Sequence, residues 1–187
     1  TIGAVDRQYI DLSYAISSGN GNIVTIEELM EYCVEDDNVK IIALYLEGIK
    51  KADVFCRALA KAAKAGKPVI ILKSGSSEKG AISAASHTGN IAGSHQVFQA
   101  IFEKYGVIPV TTAEEFFCAI QTYSILGKKL PKANKFAVIT LSGGETTISA
   151  DLAERFSIEL PELAEETREK LNTILPNFAV AKNPMDM

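Results

Sequence analysis

Ile41-Ile42-Ala43-Leu44-Tyr45-Leu46 and Val69-Ile70-Ile71-Leu72 are two near-continuous apolar runs, and the segment between them repeats Val54, Phe55, Ala58, Leu59 and Ala62 at helical spacing. A short run that is apolar at every position suits a parallel strand buried on both faces. Two parallel strands need a crossover, usually a helix, to bring the chain back to the same end of the sheet. Gly66-Lys67-Pro68 supplies the helix stop. The three segments therefore read as one βαβ unit.

Upstream, Thr25 reads as an N-cap with Glu28 completing a capping box, and Ile26, Leu29, Met30 and Cys33 form the apolar face of that helix. Tyr14 to Ser17 is a short strand candidate that ends in Ser18-Gly19-Asn20-Gly21-Asn22. Downstream, Val97, Phe98, Ile101, Phe102 and Tyr105 mark another helix, ended by Gly106. Val107 to Val110 is a strand, and Thr112 with Glu115 opens a helix carrying Phe116, Phe117, Ile120 and Tyr123. Alternation with short connections gives the fold class: α/β, a doubly wound parallel sheet. Gly127 to Asn134 is a polar linker, after which the pattern restarts. Phe136 to Leu141 is expected as a buried strand, Ser142-Gly143-Gly144 as a tight turn, Thr146 to Phe156 as a helix, Ile158 to Leu160 as a strand and Ala164 to Leu175 as a helix. The expected domains are 1–127 and 135–187, the second being the start of a similar α/β unit with too few elements to cover both faces of a parallel sheet.

The 187 residues are 47% hydrophobic and carry a net charge of −4, enough for a real core. Lys and Arg are scattered, which gives no footprint for nucleic acid. Cys33, Cys56 and Cys118 have no C-x-x-C spacing and read as reduced thiols. No cluster of Cys and His has zinc spacing, so no metal site is expected. No apolar run reaches membrane-spanning length and no signal peptide is visible, so the expectation is a cytoplasmic protein without membrane partners.

His87 stands out chemically. It lies in Ala85-Ser86-His87-Thr88-Gly89-Asn90, after the strand Val69 to Leu72 and before a helix. An imidazole there could take a phosphoryl group whose charge is met by helix N–H groups. The segment Ser74 to Asn90 holds three glycines and six Ser or Thr residues, so its backbone could approach an anion closely. A loop histidine that merely bonds locally is the plainer alternative. Glu47 follows the strand Ile41 to Leu46, and ligands in open parallel sheets gather at the carboxyl ends of strands. Its carboxylate could accept Nδ1–H of His87 and leave Nε2 free to attack, or simply be a solvated glutamate; spacing alone leaves both open. Gly143 and Gly144 open a third anion-binding arrangement, strand then glycines then helix. Against it, Ser142 and Glu145 read as a self-sufficient capping box, and Glu145 would repel phosphate. His95 reads as a helix-surface residue and Glu162 to Lys170 as a solvated face.

Tyr45-Leu46-Glu47-Gly48, then Lys67 to Gly75, then Ser86-His87-Thr88-Gly89-Asn90-Ile91-Ala92-Gly93-Ser94 resemble the NDP-forming acyl-CoA synthetases, relatives of succinyl-CoA synthetase that include ADP-forming acetate–CoA ligases. The likeness runs from about Ser17 to Ile120. Phe136 to Phe156, with Pro184-Met185-Asp186, is similar to the start of the family's next domain. The resemblance implies a flavodoxin-like, succinyl-CoA ligase-like domain and a phosphohistidine relay. Acyl-CoA and phosphate give an acyl phosphate and CoA; the histidine takes the phosphoryl group and passes it to ADP or GDP. His87 matches the phosphorylated histidine, Glu47 the carboxylate that orients it, and Ser86, Thr88 and Gly89 flank the phosphoryl group. Gly143 and Gly144 match a second helix start facing the same phosphate. CoA, ATP/ADP or GTP/GDP and Mg²⁺ are implied, bound mainly by a CoA-binding Rossmann domain and an ATP-grasp domain or subunit in a homo- or hetero-oligomer. The fragment alone is expected to be inactive.

Three departures from the family pattern stand out. Ile23 occupies the place of an aspartate, and Glu145 that of a frequent proline. The family's first strand and its Gln-Ser-Gly turn are absent, so residues before Thr1 are expected in the native protein. A different class also fits similar domains: a non-catalytic, ligand-sensing part of a protein acetyltransferase. A flavodoxin-like module for a small anion or flavin is the third reading.

Overall fold

The computed structural model describes residues 10–75, 80, 95–127 and 129–187. The chain forms two compact units, 1–129 and 130–187.

In the first unit, α1 (Ile26–Glu35), β1 (Ile42–Leu46), α2 (Ala52–Ala65), β2 (Val69–Lys73), α3 (His95–Tyr105), β3 (Ile108–Val110) and α4 (Ala113–Leu126) follow in chain order. The strands form a parallel sheet in the order β1-β2-β3. Capping chemistry fixes the helix starts. Thr25 Oγ1 accepts from the Glu28 N–H while Glu28 Oε2 accepts from the Thr25 N–H, and Thr112 with Glu115 repeats the device at α4. Gly66 ends α2 at φ 65°, a left-handed conformation that glycine enters without steric cost. Lys67 Nζ donates to the carbonyls of Val34 and Asp36 at 2.7 Å each, meeting the negative end of α1 with a cation.

Ile42↔Val69 and Leu44↔Ile71 set one sheet face against α1, α2 and α3. That core gathers Met30, Val34, Phe55, Leu59, Phe98 and Phe102, and Phe55 is fully buried at its centre. The α4 helix packs on β2 and β3, where Ile70 and Ile120 are buried outside this cluster. Helices and parallel strands thus form the expected α/β architecture.

Two strand expectations are corrected. Ile41–Leu46 is not buried on both faces: Ala43 is exposed and Tyr45 is 56% exposed, because no helix covers that side of β1 among the described residues. Tyr14–Ser17 forms no strand: among the described residues no strand lies beside it to take its backbone groups.

The second unit contains β4 (Ile139–Thr140), α5 (Gly143–Arg155), α6 (Glu165–Asn172) and β5 (Met185–Asp186). The expected strand Phe136–Leu141 is only two residues long and is not buried: Leu141 is 81% exposed. The Asn183 side chain does part of a neighbouring strand's work. Its Oδ1 accepts from the Val138 N–H, and its Nδ2 donates to the carbonyls of Phe136 and Pro161. Ile158–Leu160 contributes one bridge, Lys135↔Glu159.

Phe55→Ala should lower the unfolding free energy by about 3–5 kcal/mol, and Thr25→Ala by about 1 kcal/mol, measured as shifts in urea midpoint. A Phe55→Ala loss no larger than that of Thr25→Ala would contradict the placement of Phe55 at the core's centre.

Candidate functional site

The register that pairs Leu46 with Lys73 ends β1 and β2 side by side, and the Ser74 N–H extends the ladder to the Leu46 carbonyl at 3.0 Å. Glu47 therefore leaves the sheet next to the segment that leads on towards His87. Lys73 Nζ donates to the Glu47 carbonyl at 2.8 Å and to that of Ser74, and lies 5.1 Å from the centroid of the Phe98 ring. Burial pulls the Lys73 pKa below its ordinary value, opposed by the nearby Glu47 charge. Glu47 is partly buried, and its carboxylate has no hydrogen-bond partner among the described residues.

The turn from Glu47 to Lys51 is held from three sides. The N-cap of α2, Lys51, makes no side-chain cap of its own. Glu27, 1% exposed on α1, instead holds the approach to the helix: Oε1 accepts from the backbone N–H of Lys50 and Lys51 at 2.5 and 3.2 Å. Lys50 Nζ reaches the carbonyls of Asn20 and Gly21 and Asn22 Oδ1, and Lys51 Nζ pairs with Glu28 at 2.6 Å. Neither Glu27 nor Lys73 emerges from the apolar periodicity, which counts hydrophobic positions only. The available signal is the spacing Glu27, Met30, Val34, which carries a carboxylate at the head of the buried stripe of α1.

Ser86, His87, Thr88 and Gly89 lie outside the described residues. Gly143 and Gly144 begin α5 in the second unit. Ser142 Oγ accepts from the Glu145 N–H at 3.5 Å, but Glu145 bonds Thr140 Oγ1 instead of returning to Ser142, so the expected capping box is half made. A Cβ added at Gly143 would stand 3.2 Å from Asp186 Oδ2, which leaves two carboxylates at this helix start. Ile23 is 93% exposed, and His95 opens α3 on the surface. An apolar groove of 540 Å³ runs between Ile16, Ile23, Val24 and Leu29 and contains none of the expected site residues. Among the described residues, no three His, Cys, Asp or Glu side chains gather as a metal site would need.

The family described as "Succinyl-CoA ligase like flavodoxin domain" matches residues 2–123. The chain belongs to this family. It is 39% identical over 181 residues to the ADP-forming acetate–CoA ligase II subunit alpha of Pyrococcus furiosus, covering 97% of this chain and 39% of that protein. It is 35% identical to ADP-forming acetate–CoA ligase I of Archaeoglobus fulgidus, covering 97% of this chain and 26% of that one. Among solved structures, the dinucleotide-forming acetyl-coenzyme A synthetase 1 of Ca. Korarchaeum cryptofilum, in complex with phosphate and ADP, superposes with a TM-score of 0.81 at 29% identity. That match covers 98% of this chain and 39% of the other. The chain thus spans well under half the length of these relatives.

Acid should loosen the braces around this turn. The Lys51 ammonium, with Thr25, holds the Glu28 pKa near 2 instead of 4.5; Arg57 and Lys61 do the same for Glu31. A carboxylate with a lowered folded-state pKa adds stability that is present above the unfolded value and lost as pH falls through the folded one. Urea midpoints should therefore drop between pH 4.5 and about 2, and a Glu28→Gln/Glu31→Gln variant should show a shallower drop. An unchanged acid limb would contradict these pairings.

Proposed function

We propose that this chain is the phosphohistidine-bearing part of an NDP-forming acyl-CoA synthetase, with the start of the following ligase domain. The single observation that carries the reading is Glu47. It is a partly buried carboxylate at the carboxyl end of β1, with no hydrogen bond to its carboxylate among the described residues, and it lies beside the strand that leads to His87 in a chain of this family.

In the proposed sequence, phosphate displaces CoA from acyl-CoA and forms an acyl phosphate. Nε2 of His87 then attacks its phosphorus, and the carboxylic acid leaves as carboxylate. A β-phosphate oxygen of ADP or GDP next attacks the phosphohistidine, which yields NTP and frees the imidazole. Glu47 accepts Nδ1–H, keeps Nε2 unprotonated for attack and balances the imidazolium charge of the phosphorylated ring. Ser86, Thr88 and Gly89 flank the phosphoryl group. The helix start at Gly143 and Gly144 is a second candidate anion contact, which the carboxylates of Glu145 and Asp186 weaken.

CoA and the nucleotide are substrates in this scheme, held by a CoA-binding Rossmann domain and an ATP-grasp domain or subunit of a larger assembly. Mg²⁺ would arrive with the nucleotide. No helix among the described residues is long and apolar enough to cross a membrane, and a cytoplasmic location suits the substrates.

The test is phosphoryl labelling of the full-length protein with γ-labelled ATP and Mg²⁺. Wild type should form an acid-labile, base-stable label that ADP chases off. His87→Asn should abolish it, and Glu47→Gln should slow it by about 10²-fold. Equal labelling of His87→Asn would overturn the proposal.

A further inference from the structure

We infer that Glu27 is a positioning residue for Glu47, acting through the turn that joins β1 to α2. The inference rests on the role proposed above for Glu47.

Glu27 is 1% exposed, and a carboxylate is rarely buried so completely without ion pairing. Leaving water is costly for such a group, and here no cation repays it: Glu27 forms no salt bridge with any described residue, unlike its neighbours Glu28 and Glu31. Its Oε2 is buried with no hydrogen-bond partner. All the bonding falls on Oε1, and both bonds come from the backbone of one turn, Lys50 and Lys51. A glutamate kept only for the stability of α1 could be replaced there by an apolar residue, since Met30 and Val34 continue the same buried stripe. What an apolar residue could not supply is a fixed acceptor for the Lys50 and Lys51 N–H groups, which lead into α2.

That acceptor matters because of what the turn carries. Lys50 is three residues after Glu47, and Gly48 between them is buried, so the turn's path is closely confined. Lys73 Nζ anchors the other end of the turn by its bond to the Glu47 carbonyl. With Lys73 holding the strand end and Glu27 the helix end, the Glu47 carboxylate is presented in one direction. Release of the Glu27 end would leave Glu47 attached but free to swing, and a misplacement of about 1 Å can cost about 10²-fold in rate.

The test uses the full-length protein and compares the rate of His87 phosphorylation with thermal stability in Glu27→Leu, Glu27→Gln and Val34→Ala. Leucine fills the space and removes the unpaired Oε2, which offsets part of the cost of leaving the Lys50 and Lys51 N–H groups without their acceptor. Glu27→Leu should label at least 10-fold more slowly with a melting temperature no lower than that of Val34→Ala, whereas Glu27→Gln, which keeps an acceptor, should label near the wild-type rate. Val34→Ala, on the same helix face but away from the turn, should lower the melting temperature without slowing labelling. Added to Glu47→Gln, the Glu27→Leu change should cost nothing further. A wild-type rate in Glu27→Leu, or a loss that multiplies fully with that of Glu47→Gln, would overturn the inference and leave the relay standing. Undiminished labelling of a His87→Asn control would remove the relay and this inference with it.

Discussion

The parallel pairing of β1 with β2 is the constraint on which the rest of the first unit depends. Its register places Leu46 opposite Lys73, so both strands end at one level and Lys73 can reach the Glu47 carbonyl. A slip of one residue would turn every side chain to the other face of the sheet. Ile42, Leu44 and Leu46 would leave the core and Ala43 and Tyr45 would enter it, and Lys73 would no longer face the end of β1. The hydrophobic pattern that fixes the core therefore also fixes the geometry at the sheet's carboxyl end.

The same economy governs the polar groups. The helix termini of the first unit are met by specific side chains: Thr25 and Glu28 at the start of α1, Lys67 at its end, Glu27 at the start of α2, Thr112 and Glu115 at the start of α4. Four of these six residues are acids or bases whose charge suits the end they serve. Arg57 and Lys61 then tie α2 to Glu31 and Glu35 of α1 across a surface that is largely exposed, where ion pairs contribute little each. Glu27 is the exception: a fully buried acid bonded only to backbone.

Much of this was legible in the sequence, for identifiable reasons. The runs Ile41–Leu46 and Val69–Leu72 are strands because continuous apolarity over so few residues has few other outlets. The two Thr-x-x-Glu boxes are legible because each is completed by residues three apart in the chain. Two of the failures are non-local. Tyr14–Ser17 has the composition of a strand but no neighbouring strand among the described residues, and a strand exists only by pairing. Phe136–Leu141 was expected to be buried, yet most of its backbone bonding comes from the Asn183 side chain and residues 185–187, a relation no periodicity reveals. The place of Glu47 at the carboxyl end of β1 was legible because strand ends are predictable. The contacts of Glu27 with Lys50 and Lys51, and of Lys73 with Glu47, were not, because they are made to backbone groups distant in the chain. The Ser142–Glu145 box failed because Thr140, two residues upstream of Ser142, competes for the same carboxylate.

The central claim is that a phosphoryl group resides on His87 during turnover. It is tested most directly by localising the modification by mass spectrometry on the full-length protein, quenched at alkaline pH during turnover with acyl-CoA, phosphate and ADP. The account predicts phosphorylation confined to His87 and lost when ADP is in excess. Phosphate found instead on Ser86, Thr88 or another residue, or turnover with His87 unmodified throughout, would contradict it.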